Sequence, residues 1–326
     1  MASSKVLLKN QSHIKKNKFS LFSIIICLFL ALYSVMLIGL IIWAIRGSLL
    51  PYDYAYSNYF ENFDPWGLNT EFHPENYLYV FQYLKASAFE GIGYVYIEDS
   101  ILYSFLYSFI SAFLQTFCTA IVAYLTAKYD NKFSRFFHTF VLFTLVLPIA
   151  GSAASLFALV NKIGIYDTWL APVLMKFGFT NMYYLVFYAG FKRISWNYAE
   201  SAFIDGAGHF YVFFKIMLPL VAGLFGTVML VYFIEFWNDY SFPLLYMPSY
   251  KTGAVLMQES FLSNTFIDIT DFVPLDGREV EDYKIFRYYP MQTATSLIMC
   301  TPILILFIVF NKKLMGNLTE GGIKEW

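Results

Sequence analysis

Ionisable side chains inside apolar stretches are the first candidates for chemistry in this chain. Lys176 and Glu235 each lie within a long apolar run, where a charge is costly and marks a candidate functional group. We expect Lys176 either to extend its ammonium group to the nearer polar surface or to pair with a carboxylate, for which Glu235 is a candidate. The sequence leaves both alternatives open.

The sequence contains no recognisable pattern of catalytic or metal-binding residues. Four histidines are scattered without the spacing of metal ligands: His13, His73, His138 and His209. Three cysteines lie far apart in apolar runs and are interpreted as small packing residues: Cys27, Cys118 and Cys300. The chain has no G-x-x-x-x-G-K-S/T motif, so it lacks the loop that holds nucleotide phosphates. We predict no catalytic residue, no metal site and no cofactor bound by this chain.

The composition predicts a protein that crosses a membrane several times. Of 326 residues, 58% are hydrophobic and 14% are charged, against roughly 45–50% and about 25% in soluble proteins. Such a chain is neither disordered, nor a disulfide-rich secreted domain, nor a soluble enzyme. Its net charge of −1 excludes nucleic acid as a partner, because phosphate binding requires a basic surface. Membrane lipid is the expected surrounding.

Six apolar runs are candidates to cross a bilayer as helices, since ~20 residues span its apolar core. They are continuous and do not alternate, which predicts helices and not barrel strands. The first run is too long for a signal peptide and is interpreted as a retained anchor. The predicted spans are 20–45, 101–127, 136–160, 169–191, 219–237 and 293–310. The predicted fold is therefore an all-α integral membrane domain over residues 20–310.

The distribution of lysine and arginine predicts the orientation of these spans. Both tails and the two loops on their side of the membrane hold twice as many basic residues as the loops on the opposite side. We therefore predict that the tails 1–19 and 311–326 and the loop 192–219 are cytoplasmic. The long loops 46–100 and 238–292 are then external.

The loop 192–219 contains the most specific pattern in the sequence. From Ser195 it reads S-W-N-Y-A-E-S-A-F-I-D-G-A-G-H-F-Y-V-F-F-K-I-M-L-P. Helical periods on either side of Gly206 and Gly208 predict a short helix, a glycine-rich turn and a second short helix. Pro219 fits the first turn of the next span. Periodicity alone would also allow an amphipathic connector on the membrane surface.

This loop resembles the EAA motif of permease subunits in bacterial binding-protein-dependent ABC importers. The motif is E-A-A, three residues, G, nine residues and I-x-L-P. Six of its seven named positions match in register, and Ser201 replaces the middle alanine. The matching residues are Glu200, Ala202, Gly206, Ile216, Leu218 and Pro219.

Other segments are similar to the carbohydrate-uptake permeases of the maltose-transporter type. Trp237-Asn238-Asp239 resembles their W-N-D signature, and Asn76-Tyr77 resembles the N-Y pair before the second span. The tail from Gly316 to Lys324 resembles the ending of the second, six-span permease. Two features depart from that pattern: Asp99-Ser100 stands where Asn-Ser is usual, and the external loop carries the acidic stretch 268–282.

The resemblance implies a type I ABC importer permease fold with six transmembrane helices, located in the bacterial cell membrane. It implies a transporter subunit that forms half of the translocation pathway for a carbohydrate, such as an oligosaccharide. The implied partners are a second permease, two ATPase subunits that bind ATP and magnesium, and an extracellular solute-binding protein. The residues that it places at the ATPase contact are Glu200, Ser201, Ala202, Asp205, Gly206, Ala207, Gly208, Ile216, Leu218 and Pro219.

Two other hypotheses stay open at this point. The same coupling loop could serve an importer of a non-sugar solute, such as a polyamine or a phosphate ester. A membrane enzyme or a stand-alone channel is a different class, but an enzyme would need paired catalytic groups on facing spans, which the sequence does not suggest. No residue is assigned to substrate binding.

Overall fold

The computed structural model describes residues 21–50, 72–87, 94–147, 151–262 and 289–320. The helices before the 192–219 loop are α1 (Leu21–Ser48), α2 (Glu75–Tyr83), α3 (Ile97–Lys128), α4 (Lys132–Val146), α5 (Ala153–Ile163), α6 (Leu170–Met175) and α7 (Tyr183–Arg193). The later helices are α8 (Asn197–Ile204), α9 (His209–Tyr211), a π-helix (Val212–Met217), α10 (Leu218–Leu220), α11 (Ala222–Trp237), α12 (Ser241–Tyr246), α13 (Gly253–Leu262) and α14 (Tyr289–Glu320). The predicted tail 1–19 and the acidic stretch 268–282 lie outside the described residues.

One small sheet interrupts the helical architecture. Strands β1 (Lys85–Ser87) and β2 (Tyr94–Tyr96) pair antiparallel, with Lys85 opposite Tyr96. Both strands lie in the loop predicted to be external. The prediction of an all-α chain therefore holds for the membrane domain, and the hairpin is an addition to it.

Helix α3 is the central helix of the domain and packs mainly against α11 and α7. Its buried face carries small residues three or four positions apart: Ser100, Ser104, Ser108 and Ser111. Small side chains let neighbouring helix backbones approach closely, which is how helices associate inside a membrane. Helix α3 thus combines an apolar surface with a narrow stripe of small residues that is suited to packing against neighbouring helices.

Three described helices are long and apolar enough to cross a bilayer unaided: Phe22–Ser48, Ile97–Lys128 and Pro290–Phe310. They correspond to the first, second and sixth predicted spans. His209–Leu220 and Ala222–Trp237 form a fourth candidate, a broken span whose halves are bent by 78°. Of this pair, Ala222–Trp237 covers most of the fifth predicted span, whereas His209–Leu220 belongs mainly to the 192–219 loop.

The third and fourth predicted spans are each divided into two helices. The run 136–160 is shared by α4 and α5, and the run 169–191 by α6 and α7. The second break is held by α3, since Asn181 donates to Thr119 at 2.8 Å and Thr119 lies 3.3 Å from the carbonyl of Gly178. Irregular backbone is tolerated at membrane depth where protein surrounds it. Each of these two predicted spans therefore contains two helices, and the number of crossings stays a prediction.

The connecting segments meet at opposite ends of α3, as the predicted topology requires. At its C-terminal end, Tyr129 contacts Trp196 in the 192–219 loop, with ring centroids 5.5 Å apart. At its N-terminal end, Tyr103 contacts Tyr250, with ring centroids 5.6 Å apart. Loops predicted to share a side of the membrane therefore share an end of the bundle.

Candidate functional site

The turn in the 192–219 loop is built around one glycine. Gly206 has a φ of +85° and follows Asp205, the residue that caps the C-terminal end of helix α8. Its N–H donates to the carbonyl of Phe203 at 3.0 Å, and the N–H of Ala207 donates to the carbonyl of Ala202 at 2.9 Å. This pair of hydrogen bonds is a Schellman motif, which ends a helix at a left-handed residue. The predicted helix and turn are confirmed, and a side chain at position 206 would be strained.

Gly208 has an ordinary extended backbone, unlike Gly206. Its φ is −80° and its ψ is 162°, an extended backbone that any residue adopts. A Cβ added there would meet no atom within 4 Å. Of the two glycines in the predicted turn, only Gly206 has the left-handed conformation that favours glycine.

The second half of the loop enters the next span through a short π-helix. Residues Val212–Met217 form this π-helix, and Pro219 lies in the first turn of α10. The missing N–H of proline is harmless there, as predicted. The chain then bends before α11 begins at Ala222.

The loop exposes both acids and large apolar side chains. Ile204 is 86% exposed and Phe210 is 82% exposed, on either side of the glycine turn. Glu200 and Asp205 are exposed beside them, whereas Ala199 on the opposite face of α8 is fully buried. Large exposed apolar side chains beside charged ones are typical of a protein-binding site.

The ten residues predicted at the ATPase contact fall into two groups. Those exposed are Glu200, Ser201, Asp205, Gly206, Gly208 and Pro219. Those packed against the main core are Ala202, Ala207, Ile216 and Leu218. The structure therefore divides the motif into a presented surface and an anchor. The role of these residues in coupling stays a prediction.

Lys176 is buried in a charged and aromatic cluster. Its side chain is 18% exposed, and its Nζ lies 3.3 Å from Oδ2 of Asp239. Tyr107 donates to the same oxygen at 2.8 Å. Two rings contact the ammonium group at 4.6 and 4.5 Å from their centroids: Phe236 and Phe242. The structure thus shows the pairing alternative, and the hydrogen-bonded carboxylate is Asp239 and not Glu235.

The W-N-D residues each make a structural contact. Trp237 donates its indole N–H to the carbonyl of Met299 at 3.1 Å, which joins α11 to α14. Asn238 donates to the carbonyl of Ile234 at 2.8 Å and so satisfies an acceptor at the end of α11. Asp239 accepts from two backbone N–H groups at the start of α12, at 3.0 and 3.1 Å.

The Asn76-Tyr77 pair fastens α2 to the end of α1. The Asn76 amide donates to the carbonyls of Ser48 and Leu50, both at 2.9 Å. The Tyr77 hydroxyl lies 2.7 Å from the Ser48 hydroxyl. These short motifs thus hold segments distant in sequence, which gives a physical reason for the residue types found there.

The sequence pattern does not single out, as a group, four aromatic residues that meet at the loop: Tyr129, Trp196, Phe203 and His209. Of the four, Tyr129 has the most distinctive position in the sequence. It directly follows the basic end of α3 and precedes the polar turn before α4. No local pattern brings it to a loop that lies more than sixty residues further along the chain.

The described helices include several of membrane-spanning length, and the 192–219 loop exposes a surface suited to protein contact. These features are typical of a membrane subunit of a larger assembly. Residues 115–311 match the family described as binding-protein-dependent transport system inner membrane component. The chain belongs to this family, which confirms the resemblance found in the 192–219 loop.

Several relatives carry names of transport permeases. The arabinooligosaccharides transport system permease protein AraQ of Halalkalibacterium halodurans is 26% identical over 62% of this chain and 66% of its own length. The melibiose/raffinose/stachyose import permease protein MelC of Bacillus subtilis is 23% identical over 62% and 67%. The chain thus spans about two thirds of these relatives. The probable ABC transporter permease protein YurM of Bacillus subtilis is 23% identical over 91% and 87%.

A solved structure shares the whole fold. A chain from a bacterial ABC transporter involved in the import of the acidic polysaccharide alginate superposes with a TM-score of 0.68 at 18% identity. The superposition covers 91% of this chain and 98% of that one. The predicted type I permease fold is therefore confirmed.

Proposed function

We propose that this chain is a permease subunit of an ATP-driven carbohydrate importer and that the 192–219 loop receives the force of ATP hydrolysis. One observation carries the coupling part: the capped helix α8 and the turn after it expose Ile204 and Phe210 together with Glu200 and Asp205. The names of relatives that transport oligosaccharides support a carbohydrate as the solute. They do not favour the alternative of a polyamine or a phosphate ester.

Helix α8 and the turn after it suit a protein partner better than a lipid surface, since the exposed basic residues of the loop, Lys192, Arg193 and Lys215, lie outside this part. Amphipathic helices that lie on membranes carry lysine and arginine on their polar face. Helix α8 instead carries Glu200, with Asp205 just after it. Carboxylates are repelled by anionic lipid headgroups, whereas they can pair with basic residues of a protein cleft.

The proposed assembly contains a second permease, two ATPase subunits with ATP and magnesium, and an extracellular solute-binding protein. ATP binding would close the ATPase pair. The closed pair would bind one orientation of the permeases better than the other and so favour it. The loop would then move with its ATPase, and the spans would rotate as rigid bodies to expose the solute path on alternate sides.

The test compares two glycines in the same turn. Gly206→Ala places a side chain at a φ of +85°, which costs ~1–2 kcal/mol. Gly208→Ala is the matched control, because its backbone is extended and its surroundings are open. In the reconstituted complex, we expect Gly206→Ala to lower substrate-stimulated ATP hydrolysis roughly 5–30-fold. Gly208→Ala should retain it.

Glu200→Lys reverses the charge that the loop offers and should abolish the stimulation while the chain still inserts into the membrane. The solute-binding protein should still bind its sugar, and the purified chain alone should hydrolyse no ATP. Full stimulation in both Gly206→Ala and Glu200→Lys would show that this loop does not couple the ATPase to transport.

A further inference from the structure

Four aromatic side chains form a closed ring of contacts at the base of the 192–219 loop. We name this ring the aromatic clamp: Tyr129, Trp196, Phe203 and His209. The centroid distances around it are 5.5 Å from Tyr129 to Trp196, 6.1 Å from Trp196 to Phe203, 4.9 Å from Phe203 to His209 and 6.0 Å from His209 back to Tyr129. A hydrogen bond of 2.9 Å between the Tyr129 hydroxyl and His209 Nδ1 closes the ring.

The aromatic clamp connects the two halves of the loop, on either side of the glycine turn, to the end of α3. Trp196 precedes α8, Phe203 lies in its last turn, and His209 begins the helix after the glycine turn. Tyr129 belongs to neither half of the loop. It directly follows α3, and its N–H donates to the carbonyl of Leu125 at 3.1 Å. Both halves of the loop are therefore fastened to the end of α3.

The neighbouring lysine adds a second attachment at the same place. The ammonium group of Lys128 donates to the carbonyl of Ile194, just before the loop's first helix. Tyr129 and Lys128 thus hold the loop from adjacent positions of α3. Their contacts differ in kind, because Lys128 binds backbone at the loop entrance and Tyr129 binds the side chains around the turn.

A connection to α3 matters because the covalent path to the next span is bent. The segment His209–Leu220 and helix α11 meet at 78°, so a force along the chain would change this angle before it moved α11. Helix α3 has no such break over 32 residues, which is roughly 48 Å at ~1.5 Å per residue. In the N-terminal half of α3, Tyr107 donates to Asp239 just after α11, so α3 links the loop to the end of α11.

We propose that Tyr129 and His209 are positioning residues that transmit the movement of the 192–219 loop to α3. The proposal rests on the coupling function proposed above. When the ATPase displaces α8, the clamp makes the turn and the end of α3 move together. Without the Tyr129–His209 hydrogen bond, helix α8 can tilt relative to α3 at the glycine turn. Its displacement then no longer moves α3.

The experiment uses the full complex of this chain with its second permease, its ATPases and its solute-binding protein. It measures three quantities: the ATPase that co-purifies, the basal rate of ATP hydrolysis, and the rate stimulated by the sugar-loaded binding protein. Tyr129→Phe removes the hydroxyl and keeps the ring. His209→Ala removes the ring as well, while His209→Asn keeps a polar group near the position of Nδ1. Tyr33→Phe, on the exposed surface of α1, is the matched control.

We expect Tyr129→Phe to keep normal co-purification and basal hydrolysis but to lower the stimulation about two- to tenfold, the range that corresponds to one hydrogen bond. His209→Ala should lower it at least as much, and His209→Asn should restore part of it. Tyr129→Phe combined with His209→Ala should be no worse than His209→Ala alone, because both remove the same interaction. Tyr33→Phe should behave as wild type.

Three results would overturn the proposal. Normal stimulation in Tyr129→Phe and His209→Ala, with Glu200→Lys inactive, would leave the coupling loop intact and remove the clamp as its transmitter. Fully additive losses in the double variant would show that the two residues act separately. Loss of ATPase co-purification would show that the clamp only shapes the docking surface. Normal stimulation in Glu200→Lys would instead refute the coupling function itself.

Discussion

Replacing Lys176 by methionine is the sharpest test of the cluster around Asp239. Methionine has a similar length and is apolar, so the substitution removes the charge and keeps most of the packing. It leaves Asp239, whose side chain is 21% exposed, without its counter-ion. Tyr107 and two backbone N–H groups still donate to this carboxylate. We therefore expect the variant to fold with reduced stability.

The magnitude follows from the contacts. At 3.3 Å and an effective dielectric constant of about 20, the attraction between the two charges is about 5 kcal/mol before desolvation is subtracted. The rings at 4.5 and 4.6 Å add roughly 1 kcal/mol each. Breaking a buried ion pair costs about 3–5 kcal/mol, and the partial exposure of both side chains favours the lower end. We expect a loss of about 3 kcal/mol.

Thermal unfolding of the purified complex measures this loss. At about 2 °C per kcal/mol for a chain of this size, Lys176→Met should lower Tm by roughly 6 °C. The matched control is Lys162→Met, because Lys162 is exposed at the end of α5. Lys176→Met combined with Asp239→Asn should lose about 1–3 kcal/mol less than the sum of the single losses, since the pair is removed together.

Two outcomes would refute this reasoning. A Tm of Lys176→Met within about 1 °C of wild type would mean that the ion pair contributes no net stability. Losses that add within about 0.5 kcal/mol in the double variant would mean that the two residues do not interact.

Two further predictions concern orientation and packing. In a variant without native cysteines, an impermeant reagent added outside the cell should label a cysteine at the exposed position Lys162 and spare one at the exposed position Asp130; the reverse would invert the topology. Gly253→Ala should cost about 1–3 kcal/mol, because its Cβ would lie 2.3 Å from the sulfur of Met299. Gly39→Ala, which meets nothing within 4 Å, should leave Tm nearly unchanged.

Local features of the sequence determined much of this protein. Apolar runs predicted the membrane helices, because a helix in a bilayer needs ~20 apolar residues whatever surrounds it. The spacing in 200–219 predicted the short helix, the turn at Gly206 and the position of Pro219. These predictions are confirmed because each feature depends on residues only a few positions away in the sequence. This holds for a helix end, a left-handed glycine and a proline in a first turn.

The tertiary structure decided what depends on distant residues. Lys176 meets Asp239 across 63 positions of sequence, and Tyr129 meets His209 across 80. The break between α6 and α7 is stable because α3 supplies hydrogen-bond partners there, which the apolar run 169–191 could not reveal. A buried charge or an interrupted helix is tolerated only where the fold places a partner beside it. Sequence therefore identified the candidates, and packing around α3 selected their partners.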